Sequence, residues 1–233
     1  MATTWKDITK RKLSQSDYVL IAANIVPVYG VWFLNWSAGE VFLVYCLETI
    51  IIGFFTLLKM LITGLIKKTD DWQNGSSTTK MPFMFFMLFF FVHYGMFVSI
   101  QTALFFSVSG FGKATGGGFF SFLYKWPQLV NQNIGIMLAT FIISYAFRNL
   151  NDFILSGEYK TASLSYLMFQ PYGRIFIQQI TVILGSIFLS FGAGKIFILI
   201  FAIIKIFIEV FVDFDGILKK AAKGELKSRE EEN

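Results

Sequence analysis

The chain has 233 residues, of which 55% are hydrophobic and 15% charged; its mean hydropathy is +0.60 and its net charge +5. Soluble domains carry nearer ~25% charged residues, so this composition excludes a protein coated in polar surface. The single cysteine, Cys46, excludes an internal disulfide and a multi-thiolate metal site.

Residues 1–17 form a polar, basic N-terminal segment with Lys6, Lys10, Arg11 and Lys12. A signal peptide is not expected, because no small-residue cleavage motif closes the apolar run that follows. Apolar stretches then predict about six spans. The first runs from Tyr18 to Trp36, with Asn24 and Pro27 inside it. The second runs from Val41 to Ile66 and holds Glu48 and Lys59. Residues 67–81 read as a solvent loop, with turn chemistry at NGSS. The third span runs from Pro82 to Val108 and carries His93 and Gln101. The Gly-rich aromatic stretch 109–127 suits an interfacial or shallow re-entrant loop. The fourth span, Ile134 to Phe147, is short for a bilayer and is expected to extend to Leu129 and Leu155. In residues 156–172, Leu164, Leu167 and Met168 are expected to lie on the membrane plane. Spans five and six run from Arg174 to Phe191 and from Ile196 to Phe214. A charged tail, 215–233, closes the chain.

The fold class read from this pattern is all-α: a polytopic transmembrane bundle over 18–214. Positive charge sets its orientation. With six spans, one side collects the N-terminal cations, Lys67, Lys68, Lys80, Arg148, Lys160, Arg174 and the lysines of the tail. The other side holds Lys113, Lys125 and Lys195. Both termini are therefore expected in the cytoplasm, and the protein as a multi-pass component of the cell membrane.

Charged residues inside such spans are costly and face the bundle interior. At about 1.5 Å per residue, Glu48 lies roughly 10 Å and Lys205 roughly 14 Å from the outer ends of their spans, and His93 near the midplane. These three define an expected polar site, with Gln101 and Gln179. A second, cytoplasmic-side cluster is expected from Arg174, Glu209, Asp213 and Lys59. Lys205, Glu209 and Asp213 follow i, i+4 spacing and form one stripe on the sixth span. Lys59 lies three turns beyond Glu48, on the same face of the second span. The structural alternatives are ordinary: Lys59 and Asp213 near enough to the interface to reach water, Arg174 as a topology anchor, His93 and the glutamines as hydrogen-bonded core, and Glu48 with Lys205 as a register-fixing ion pair.

Three segments, YCLETIIIGFF at 45–55, PFMFFMLFFFVHYGMF at 82–97 and QPYGRIFIQQITVILG at 170–185, carry a resemblance over nearly the whole chain. With the closing stretch that holds Lys205 and Asp213, they resemble a bacterial and archaeal family of small integral membrane proteins, the domain-of-unknown-function family 6498. The HYG and PYGR segments are its most specific parts. The family pattern has an aromatic-x-Glu-Asn where this chain reads Cys46, Leu47, Glu48, Thr49, and further histidines where this chain has Gln101 and Gln179. His93 matches. Several histidines with a glutamate would form a transition-metal site. Glutamine is a poor substitute, so no metal and no cofactor are expected here. The resemblance implies no activity.

Three functions remain in view. One is a transporter or channel-like protein with a polar intramembrane site, in which Glu48 titrates beside His93 and Lys205 supplies the counter-charge. Another is a non-catalytic scaffold or assembly factor. The third is a membrane-embedded enzyme acting on a lipid or quinone, with His93 and Glu48 as acid and base and Arg174 holding an anionic group. No nucleophile or metalloprotease motif supports the enzyme. The expected partners are the lipid bilayer and anionic lipids at the cytoplasmic face, with self-association open and nucleic acid excluded by cations that border the membrane.

Overall fold

The computed structural model describes residues 12–74, 77–109, 125 and 127–212. Helix α1 spans Gln15–Phe33. It opens on a reciprocal cap: the Asp17 amide donates to Ser14 Oγ (3.2 Å) and the Ser14 amide to Asp17 Oδ2 (2.8 Å). The helix closes at Gly30, whose carbonyl accepts from the amides of Leu34 and Trp36. The Trp36 ring lies so close over Gly30 that a Cβ there would collide with it.

Helix α2, Ala38–Lys67, has 30 residues and is about 45 Å long. It is the central helix, with 67% of its most apolar stretch buried in the protein. It packs on α3 (Phe83–Ser109), α4 (Gln132–Arg148), α5 (Leu164–Phe169), α6 (Tyr172–Ser190) and α7 (Gly194–Ile206). Helix α1 packs on α4 and α7. Two helices run on in π-helical geometry: α4 through Asn149–Leu155 and α7 through Phe207–Phe211. The fourth apolar run thus extends to Leu155 but not back to Leu129, because Asn131 caps the helix at Gln132, its Oδ1 accepting from the Ile134 amide.

The segment read as a plain solvent loop is a β-hairpin. Strand β1 (Thr69–Asn74) pairs antiparallel with β2 (Ser77–Pro82), from Thr69 opposite Pro82 to Asn74 opposite Ser77. The all-α reading is therefore incomplete by one hairpin. Trp72 drives the difference: its ring packs on Phe85, Phe86 and Phe89 of α3 at 5.4, 5.9 and 5.6 Å, giving the ribbon an apolar face. The Leu164 amide donates to Asp70 Oδ2, and Ser165 Oγ to the Asp71 carbonyl. The expectation that Leu164, Leu167 and Met168 lie on the membrane plane is overturned. They are fully buried, packed with Met60, Phe86 and Phe90 beneath the hairpin.

These contacts sort the connections into two ends. At one end Ser16 bonds Asp152, Lys67 bonds the Thr161 carbonyl, and the hairpin holds α5. At the other, Asn131 Nδ2 donates to Glu40 Oε1, and Gly194 lies against Ala38. Helices α2 and α4 run from the second end to the first, α1 and α3 start at the first, and α7 starts at the second.

The outer surface is apolar. Leu65, Leu88, Ile143 and Phe176 are each at least 64% exposed, and only 22% of the most apolar stretch of α3 is buried. Water does not tolerate so large a contiguous patch on a monomer. Four helices are long and apolar enough to cross a membrane: Gln15–Phe33, Ala38–Lys67, Phe83–Phe105 and Gln132–Leu155. The re-entrant reading of 109–127 and the tail 215–233 lie outside the described residues, apart from Ser109, Lys125 and Pro127.

Candidate functional site

Glu48 sits on the buried face of α2 and is completely inaccessible. Lys205, in the last turn of α7, meets it head on: Nζ lies 2.6 Å from both Oε1 and Oε2. A third donor hydrogen goes to Asn24 Oδ1 of α1 at 2.9 Å. An ammonium has three protons, and these three contacts match its capacity. Asn24 is oriented in turn, because its Nδ2 donates to the Leu20 carbonyl one turn back. Tyr145 of α4 donates its hydroxyl to Glu48 Oε1 at 2.8 Å. The rings of Phe141 and Tyr45 lie 4.6 and 5.1 Å from the ammonium and close the site with cation–π contacts.

Glu209 joins from the π-helical turn that follows α7. Its Oε2 lies 3.9 Å from Lys205 Nζ and is buried without a hydrogen-bond partner among the described residues. The reason is geometric: Lys205 has spent its three donors on Glu48 and Asn24. The i, i+4 stripe on the last helix thus becomes a real contact for Lys205 and Glu209. Asp213 lies outside the described residues.

His93 stands apart from this cluster. Its Nδ1 is 2.7 Å from the Tyr172 hydroxyl of α6, and its ring stacks on Phe89. Among the described residues, no hydrogen bond or ion pair joins it to Glu48 or Lys205. The helical periodicity explains this: Tyr94, the next residue, takes the inward face of α3 and donates its hydroxyl to the Thr49 carbonyl of α2 at 2.6 Å. Gln101, two turns further on the same inward face, accepts from Thr49 Oγ1 at 3.3 Å, and its Nε2 is buried without a partner among the described residues. Gln101 therefore borders the site through the residue after Glu48. Arg174 and Gln179 belong to α6, and their side chains lie outside the described residues.

Lys59 occupies a separate place. It lines an open-mouthed pocket, with about 450 Å³ of unfilled space including the mouth, together with Thr56 of α2, Tyr145, Arg148 and Asn149 of α4, and Gln170. The pocket lies toward the hairpin end, and Tyr145 is common to it and to the Glu48 site. Sequence reasoning missed Tyr145, Asn24 and Arg148 as site residues. Asn24, a polar residue one turn before Pro27, was visible in the sequence; nothing marks Tyr145 among the nine tyrosines. Among the described residues, no group of three or more His, Cys, Asp or Glu is placed to hold a metal ion.

A mostly helical protein with apolar helices of bilayer length and a buried carboxylate–ammonium–carboxylate cluster belongs to the broad class of membrane proteins. A family model matches residues 6–231, and the chain belongs to that family, DUF6498, a family of unknown function. Neither a curated protein nor a solved structure matches the chain.

Proposed function

We propose that this protein crosses the membrane six times and moves protons or a small monovalent cation through the cluster of Glu48, Lys205 and Glu209. The six crossings rest on the two ends of the bundle. Helix α6 leads from α5, beneath the hairpin, toward α7, which starts at the opposite end. Lys67, Lys68, Lys80 and Lys160 gather at the hairpin end, which makes it the cytoplasmic one.

The observation that carries the reading is the charge count. Among the described residues, two carboxylates face one ammonium, and the ammonium has no donor left for Glu209. A buried site with an uncompensated charge is expensive. One additional positive charge, a proton or a monovalent cation at Glu209, restores neutrality. The site is thus built to bind and release one cation. Glu209 lies on a π-helical turn, a geometry found often where helices do work beyond packing. Tyr145 is shared by the cluster and by the pocket toward the hairpin end.

One observation favours a structural clamp instead: a single ammonium ties α1, α2 and α7 together. Glu209 separates the two readings, because a clamp has no use for it. Purified protein is reconstituted into liposomes, and flux of protons, sodium or potassium is followed under an imposed membrane potential. Flux above that of empty liposomes, abolished by Glu209→Gln in a protein that stays folded, supports the cation pathway. Flux equal to that of empty liposomes for all three ions leaves the clamp.

A further inference from the structure

His93 and Tyr172 meet in the seam between α3 and α6, and the cation pathway uses neither. They belong to the HYG and PYGR segments of the sequence. Nδ1 of His93 lies 2.7 Å from the Tyr172 hydroxyl. The imidazole is partly exposed, and its other nitrogen, Nε2, makes no hydrogen bond among the described residues. Aromatic rings frame the pair. Phe89 stacks on the imidazole at 5.3 Å, Phe97 stands edge-on to it at 5.3 Å, and Phe169 lies 6.0 Å from Tyr172. Phe89 and Phe169 are exposed on the apolar outer surface.

Depth decides what reaches Nε2. His93 lies ten residues, roughly 15 Å, beyond Phe83 at the hairpin end of α3. That is the middle of a hydrocarbon core ~30 Å thick. Water is absent there, and a polar atom left without a partner is costly. The phosphate and ester oxygens of phospholipids lie at the interface, roughly 15 Å away. A ligand for Nε2 therefore carries its polar atom into the hydrocarbon. The described side chains that touch the pair carry no charge, so that ligand is neutral.

The two tautomers narrow the class. Where Tyr172 donates to Nδ1, Nε2 bears the proton and offers it outward; where Nδ1 donates to the Tyr172 oxygen, Nε2 offers a lone pair. The same atom thus meets a carbonyl oxygen or a hydroxyl. A quinone presents the first and its quinol the second, each on a planar ring that suits the aromatic frame.

We infer that the His93–Tyr172 pair binds the head ring of a lipid-soluble quinone, in both its oxidised and its reduced form. The inference stands whether or not the Glu48 cluster conducts, because none of Glu48, Lys205 and Glu209 takes part in it.

The test uses the whole purified protein in lipid nanodiscs, with tritiated decylubiquinone as quinone and as quinol. Empty nanodiscs correct for partition into lipid. Saturable binding of both forms, about tenfold weaker in His93→Phe, as expected for loss of one hydrogen bond, supports the site. Tyr172→Phe, which frees the imidazole from its partner, is expected to weaken binding severalfold. Phe91→Leu, on another exposed face of α3 at a similar depth, should leave binding unchanged. If His93→Phe does not fold, Tyr172→Phe decides alone. Uptake that never saturates, binding that both pair variants leave intact, or an equal loss in Phe91→Leu overturns the inference. So does a protein that binds no quinone and loses a dimer in His93→Phe, which assigns Nε2 to a second copy of the chain.

Discussion

At the scale of single residues, the Glu48–Lys205 pair is both the strongest contact and the greatest liability. Removing one partner of a buried pair leaves an uncompensated charge and costs about 3–5 kcal/mol. Glu48→Met and Lys205→Met are each expected to lower stability in detergent by that order. The double variant is expected to lose much less than the two combined, since it leaves no orphaned charge; a thermal double-mutant cycle reads this. Glu209→Gln should change stability by less than about 1 kcal/mol, because Oε2 accepts no hydrogen bond among the described residues, while it removes the charge proposed to bind a cation. A large loss of stability in that variant would mean that the Glu209 carboxylate holds the bundle together rather than waiting for a cation. The Glu48–Lys205 pair was legible from the sequence through depth alone: two charges in apolar runs at similar distances from one end. His93 shared that depth, yet it meets Tyr172, because rotation about α3 is not written in a depth.

At the scale of elements, α2 and α3 are held close by a glycine. A Cβ on Gly53 would lie 2.5 Å from Tyr94 Cε1, and the same tyrosine donates to the Thr49 carbonyl. Gly53→Ala is expected to cost about 1–3 kcal/mol by forcing the ring off its seat, measured as a lower melting temperature. The hairpin depends on Asp70, which accepts the Leu164 amide across 94 positions of sequence. Asp70→Ala removes a cap-like bond worth about 1 kcal/mol, and limited proteolysis should then cut within 69–82 faster than in the parent protein. The turn residues at 74–77 were visible in the sequence. The strands were not, since their partner surface is the Phe-rich start of α3, and a Phe run reads equally well as lipid-facing.

At the scale of the molecule, the contacts place Ser16, the hairpin and residues 152–165 at one end, and Asn35, Glu40, Asn131 and Gly194 at the other. Cysteine labelling in right-side-out vesicles checks this arrangement. Cys46 is buried and is first replaced by alanine. Lys80→Cys and Glu158→Cys are expected to react only with a reagent that crosses the membrane, and Asn35→Cys with one that does not. Reaction of Lys80→Cys and Asn35→Cys from the same side would break the six-crossing topology.

The amino-acid sequence by itself determined the solvent this protein needs, because composition and the length of apolar runs depend on no contact. It also placed Glu48, Lys205 and Glu209 among apolar neighbours, where a charge must find a partner. Which partner each one found was decided by the tertiary structure. Helix rotation gave the inward face of α3 to Tyr94 and Gln101 rather than His93. The approach of α1 and α4 brought Asn24 and Tyr145 to a charge pair that neither of them marks in sequence. The three donors of Lys205 were divided between Glu48 and Asn24, leaving Glu209 Oε2 buried without a hydrogen bond among the described residues. Such assignments depend on distances between residues far apart in the chain, and only the packed bundle sets those distances.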